Sequence, residues 1–107
     1  MNSNTDYLAD VLKSMAQTTR LKIIGFLRGG ERCVCEIFPA IDEEQSNTSR
    51  HLAYMQTHGI LSRRKDGVKI YYAVKHPEVF EILDRATAIV RREVEQRSEL
   101  INLKERT

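Results

Sequence analysis

The chain has no tryptophan, two prolines and two cysteines in 107 residues. Three Phe and four Tyr are its only aromatics, so any core must be mainly aliphatic. No apolar run approaches the roughly 18 residues of a membrane span, and a transmembrane helix is excluded. The opening residues, Met1-Asn2-Ser3-Asn4-Thr5-Asp6, lack the basic and apolar regions of a signal peptide, so a cytoplasmic location is expected. In a reducing compartment two cysteines point to ligation or redox chemistry rather than a structural staple. There is no glycine-rich phosphate loop. His51, His58 and His76 are scattered, and none pairs with an acidic residue in a zinc-like pattern. No nucleophile and base are spaced for catalysis, so neither an enzyme nor a constitutive cofactor is expected.

A hydrophobic fraction of 41% and a charged fraction of 30% suit one globular domain spanning residues 1–107. Net charge is only +2, but it is unevenly distributed. Residues 1–49 carry 5 Lys/Arg against 7 Asp/Glu, residues 50–75 carry 6 against 1, and residues 76–107 carry 6 against 7. Positive charge is concentrated in one short middle segment, as a phosphate-facing surface requires.

The local patterns predict a mainly α fold with a β-hairpin. Residues 5–30 read as two helices. Thr5 is the expected cap of the first, in which Tyr7, Leu8, Val11, Leu12 and Met15 share a face. Thr18 or Thr19 is the expected cap of the second, and Gly29-Gly30 ends it. A short third helix is predicted over about 34–41 with Cys33 at its N-cap. Glu36 follows three residues later, so Cys33-Val34-Cys35-Glu36 has capping-box spacing with sulfur in place of the hydroxyl. Pro39 removes an N–H late in this helix and makes it only marginally stable alone. A turn through Asp42-Glu43-Glu44 leads to a fourth helix at about 45–57, which completes a helix-turn-helix over 33–58. The two strand-like runs of 60–74 flank Lys65-Asp66-Gly67, a strong hairpin signal. A helix-turn-helix followed at once by a basic hairpin is the winged-helix arrangement.

From Pro77 a long helix is predicted to about 103, with a stripe of Leu83, Ala86, Val90, Val94 and Ile101. An apolar stripe with no later element to cover it suggests a partner helix from a second subunit, so a homodimer through the first and last helices is expected. The alternative is that this helix folds back on its own domain.

Gln45, Ser46, Asn47, Thr48, Ser49, Arg50 and His51 give the start of the fourth helix the density of short polar groups that base edges and phosphates require. Arg63, Arg64, Lys65 and Lys69 of the hairpin are expected along the backbone or minor groove of double-stranded DNA, supplying affinity more than sequence choice. Of Tyr71 and Tyr72, which alternate faces, one should be core. Cys33 and Cys35 can chelate a single soft ion or metalloid, and a helix N-terminus favours their thiolates. Binding there could break the cap of a weak helix that supports the DNA-reading one. Buried cysteines also behave as small hydrophobes, and a disulfide within Cys-x-Cys would be strained.

Leu12 through Ile24 (LKSMAQTTRLKII), Cys33-Val34-Cys35-Glu36-Ile37, Ser49-Arg50-His51-Leu52 and Gly59-Ile60-Leu61 resemble, in order, the ArsR/SmtB family of metalloregulatory repressors. The resemblance covers about residues 7–75. It implies a homodimeric winged helix that represses an operon until an inducer releases it. The Cys-Val-Cys segment is similar to that of the arsenic-sensing branch, which implies As(III) or Sb(III) as inducer and Cys33 and Cys35 as its ligands. Phe38 stands near the place of a frequent third cysteine, leaving the third position to a water, to a carboxylate such as Glu36, or to the substituent of a monosubstituted arsenical. A thiol-redox repressor using the same cysteines is the nearest alternative. A Cys-x-Cys oxidoreductase would need no basic recognition helix, and a winged-helix protein-interaction module would show no salt-dependent operator binding.

Overall fold

The computed structural model describes residues 3–106. Its first helix, α1 (Asn4–Met15), is capped by Ser3 rather than Thr5: Ser3 Oγ accepts from the Asp6 N–H at 3.3 Å and Asp6 Oδ2 accepts from the Ser3 N–H at 3.2 Å. This reciprocal box satisfies two orphan donors at once, which Thr5, already the second residue of the helix, does not do. The second helix, α2 (Thr18–Phe26), is likewise capped one residue early, by Gln17 Oε1 accepting from the Arg20 N–H at 2.9 Å. A single 3₁₀ turn, Leu27–Gly29, closes it, and Gly30 leaves at φ 113°, a conformation open to glycine.

Next comes a strand that local patterns do not reveal, β1 (Arg32–Cys33), too short to carry an alternation of its own. Helix α3 (Val34–Ala40) follows, with Cys33 as its N-cap as expected. Cys33 Sγ accepts from the Cys35 N–H at 3.1 Å and Glu36 Oε1 accepts from the Cys33 N–H at 3.2 Å, closing the capping box. Beyond its C-cap Ile41 the chain turns at Asp42, whose φ of 55° is a left-handed conformation that Asp tolerates better than most residues. Helix α4 (Gln45–Thr57) then runs as predicted.

Strands β2 (Leu61–Asp66) and β3 (Lys69–Val74) form the wing. Lys65 and Asp66 belong to the strand, so the turn is Gly67-Val68 rather than Asp66-Gly67. Gly67 at the first central position, with φ 62°, suits a two-residue hairpin turn. The sheet order is β1-β3-β2, all antiparallel, so the strand bearing Cys33 pairs directly with the wing.

Met15, Ile23, Ile24, Leu27, Ile37, Leu52, Met55, Ile60 and Leu61 make the core, aliphatic apart from Tyr72. Leu52 and Met55 bury one face of α4 against α2 and α3, which leaves the opposite face to solvent. Of the two wing tyrosines Tyr72 is the core residue.

The chain divides into two units after Pro77. The second unit is one helix, α5 (Glu78–Arg106), which starts one residue later and ends three residues later than expected. Its Ile89, Val90, Val94 and Ile101 are more than half exposed, as are Tyr7 and Leu8 of α1. No helix among the described residues is long and apolar enough to cross a membrane.

Candidate nucleic-acid interface and thiol pair

Helix α4 exposes Gln45, Ser46 and Arg50, with Asn47, Ser49 and His51 half-buried beside them. Thr48 departs from the expectation. It is completely buried, because it lies on the face that carries Leu52 and Met55, and it is removed from any surface that could meet a ligand. Its Oγ1 has no hydrogen-bond partner among the described residues.

His51 is held from behind. Arg20 Nε donates to its Nδ1 at 3.1 Å, so the proton of the neutral ring sits on Nε2. Burial, reinforced by the charges of Arg20 and Arg50, pushes its pKa below the ordinary histidine value. Arg20 also lies 3.7 Å over the ring of Tyr54, which stacks on His58 at 4.1 Å, so the far end of α4 is braced by α2. Around the start of α4 a polar hollow of about 460 Å³ is lined by Glu43, Glu44, Ser46, Asn47 and Arg50.

On the wing, Arg63, Lys65 and Lys69 are exposed. Arg64 is exposed too, but engaged. Its Nη2 and Nε donate to Glu31 Oε1 at 2.6 Å and Oε2 at 3.0 Å, and its guanidinium lies 4.5 Å over the Tyr71 ring. The strand register places Cys33, Tyr71 and Arg64 in one row across the sheet. A residue of the thiol pair and a cation of the wing are thus two strand spacings apart. Sequence reasoning misses Glu31, because its partner is 33 residues away and only β1 brings them together.

Cys33 is buried, Cys35 is exposed, and their sulfurs are joined in a disulfide across 5.1 Å between Cα atoms. They open onto a cleft of about 250 Å³. Its other walls are Val34, then Gln45 and Ser49 of α4, then Val68, Lys69 and Ile70 of the wing. The cleft therefore brings together three features the sequence holds apart: the thiol pair, the start of the polar helix and the tip of the basic hairpin. Glu36 is committed to the cap of α3 and lies 3.9 Å from Arg32. Among the described residues no cluster of three His, Cys, Asp or Glu could hold a metal ion.

A family model described as bacterial regulatory protein, arsR family, matches residues 17–63. The arsenic resistance transcriptional regulator ArsR1 of Pseudomonas putida is 41% identical over 75 residues, covering 69% of this chain and 58% of that protein. The match to ArsR2 of the same organism covers 61% of its length, so this chain spans about three fifths of these relatives. The transcriptional activator HlyU of Vibrio cholerae is 30% identical over 84 residues, covering 78% of each chain. Among solved structures, the homodimeric winged helix-turn-helix DNA-binding domain of a possible ArsR-family regulator from Mycobacterium bovis superposes with a TM-score of 0.75. It is 25% identical and covers 89% of this chain and 93% of that one.

Proposed function

Because the chain belongs to the arsR family of bacterial regulatory proteins, we propose that it is a cytoplasmic, homodimeric transcriptional repressor released from operator DNA when Cys33 and Cys35 capture a trivalent metalloid such as arsenite or antimonite. The observation that carries this reading is the cleft in which the cysteine pair, Gln45 and Ser49 of α4 and Lys69 of the wing share one wall system. A group held by the two sulfurs there lies against both surfaces that would meet DNA.

On the DNA side, Gln45, Ser46, Ser49 and Arg50 are the groups of α4 that reach outward to base edges and phosphates. Arg63, Lys65 and Lys69 follow the backbone from the wing, adding affinity that falls steeply with salt. The bare stripes of α1 and α5 support a second copy of the chain as partner, which would set two reading helices on a twofold operator.

On the sensing side, the reduced pair supplies two thiolates. Cys33 Sγ is also the cap of α3, so engaging it removes an acceptor from a helix that already lacks one N–H at Pro39. Two routes lead out: through α3 to the turn before α4, and along the row Cys33, Tyr71, Arg64 to the wing. Inducer and operator must weaken each other by the same factor, typically ~1–3 kcal/mol of coupling.

The test is fluorescence anisotropy of labelled operator duplex, with reduced protein, titrated with arsenite and antimonite and repeated on the double variant Cys33→Ser, Cys35→Ser. The double variant should bind DNA normally and stay bound. Unchanged release by arsenite from that variant would sink the sensor assignment. The sulfur–sulfur bond between Cys33 and Cys35 favours one second reading, redox control, in which a two-electron oxidant converts the two thiols to the disulfide. Release by peroxide with no response to arsenite would select it.

A further inference from the structure

We propose that Glu43, which lies outside the reading helix, is a positioning residue that sets base preference by orienting Arg50 through Asn47. The inference rests on the DNA-reading role of α4 given above. Glu43 Oε2 accepts from Asn47 Nδ2 at 3.3 Å, and Asn47 Oδ1 accepts from Arg50 Nη2 at 2.7 Å. A carboxylate can only accept and a guanidinium can only donate, so the Asn47 amide has one workable orientation. Turning it over would set oxygen against oxygen and nitrogen against nitrogen.

Glu43 is itself anchored from the other side. Its Oε1 accepts from the buried Thr19 hydroxyl at 3.3 Å and pairs with Lys22 Nζ at 3.7 Å, both on α2. Its backbone N–H donates to the Phe38 carbonyl of α3 at 3.1 Å, immediately after the left-handed turn at Asp42. The carboxylate thus ties α2 to a long exposed side chain on α4, and the backbone of the same residue ties it to α3. Without the brace Arg50 would have many rotamers to lose on binding. With it, the guanidinium is presented ready for the two acceptors of a guanine edge. Asn47 then acts chiefly as the bracket and Arg50 as the reader. The same carbonyl contact makes Glu43 the first group on the reading side that a shift of α3 would move.

The experiment uses the full chain and duplexes selected by it from a random pool. Binding of the best duplex and its single-base variants is measured at several salt concentrations for wild type, Arg50→Ala, Glu43→Ala, Asn47→Asp and the double variant Glu43→Ala, Arg50→Ala. Arg50→Ala should lose about tenfold or more of the preference for guanine at one position. Glu43→Ala and Asn47→Asp should lose most of that same preference at that same position, and the double variant should be no worse than Arg50→Ala alone. The salt slope of Glu43→Ala should match that of wild type, because no phosphate contact is removed. Asn47→Asp keeps the Glu43 side chain but sets oxygen against oxygen at the bracket, so its effect is read beside that of Glu43→Ala. Retained guanine preference in both variants, or an equal loss on every duplex, would overturn the inference. Failure of the wild type to enrich any duplex would overturn the DNA-reading role, and this inference with it.

Discussion

Arg64 of the wing closes on Glu31 through two parallel hydrogen bonds, with Nη2–Oε1 at 2.6 Å and Nε–Oε2 at 3.0 Å. The pairing takes one of the four wing cations out of the pool that could meet phosphate, and it ties the wing to the loop leading into β1 and Cys33. On the proposed reading, Glu31 and DNA would compete for the same guanidinium.

Glu31→Gln should therefore tighten DNA binding and steepen the dependence of log K on log salt by about 1, as one more cation becomes available to phosphate. Anisotropy titrations across a salt series measure this, and an unchanged slope would show that Arg64 stays away from the DNA. The hydrogen bonds from Arg64 hold the Glu31 carboxyl below its ordinary pKa. The native value is depressed, so the pairing is fully present above the ordinary carboxylate pKa and lost as pH falls through the native one. Wild type should approach the salt slope of Glu31→Gln only in that acid range.

What could be read before the structure was what depends on near neighbours. Cys33 and Glu36 are three residues apart, and the sulfur-capped box was legible from that spacing alone. The 3.6-residue pattern of Leu52 and Met55, and the turn signal between two strand-like runs, are equally local, so helix-turn-helix and wing were both legible, although the turn itself falls one residue later, at Gly67-Val68. Glu31 with Arg64, Arg20 with His51 and Thr19 with Glu43 are separated by 33, 31 and 24 residues. Nothing in their local sequence announces them. Thr48 was misassigned because it sits in a run of polar residues, and only packing of α4 on its neighbours distinguishes the one that faces inward.

Cys33 is both a sulfur donor and a helix cap, and these roles can be separated. Serine also accepts from first-turn N–H groups, whereas alanine cannot. Measured under reducing conditions by urea unfolding, Cys33→Ser should keep most of the wild-type stability. Cys33→Ala should be less stable than Cys33→Ser by about 1 kcal/mol. Equal stabilities would mean that the box contributes nothing to α3.

His51 should titrate below the ordinary histidine value in an NMR pH series, chiefly because it is partly buried and further because Arg20 and Arg50 are close. The neutral ring is the form that accepts from Arg20. On acidification the unfolded chain binds a proton first, so this contribution to stability is complete above the ordinary histidine pKa and lost as pH falls through the native one. Arg20→Gln should move the titration of His51 upward. A midpoint that does not move would assign the depression to burial and Arg50 without Arg20.

Thr48 places a hydroxyl in the core with no partner for Oγ1, beside Leu52 and Met55 on the inner face of α4. An unsatisfied buried hydroxyl costs roughly 1–3 kcal/mol, and valine has the same branched shape without it. Thr48→Val should raise stability by about 1 kcal/mol, a shift of roughly 4 °C in melting temperature for a chain of this size. DNA affinity should not change, because the side chain does not reach the surface. Calorimetry and anisotropy on the same preparation decide the matter. A destabilised Thr48→Val would mean that the hydroxyl is satisfied within the core, and lost DNA binding would return Thr48 to the reading face.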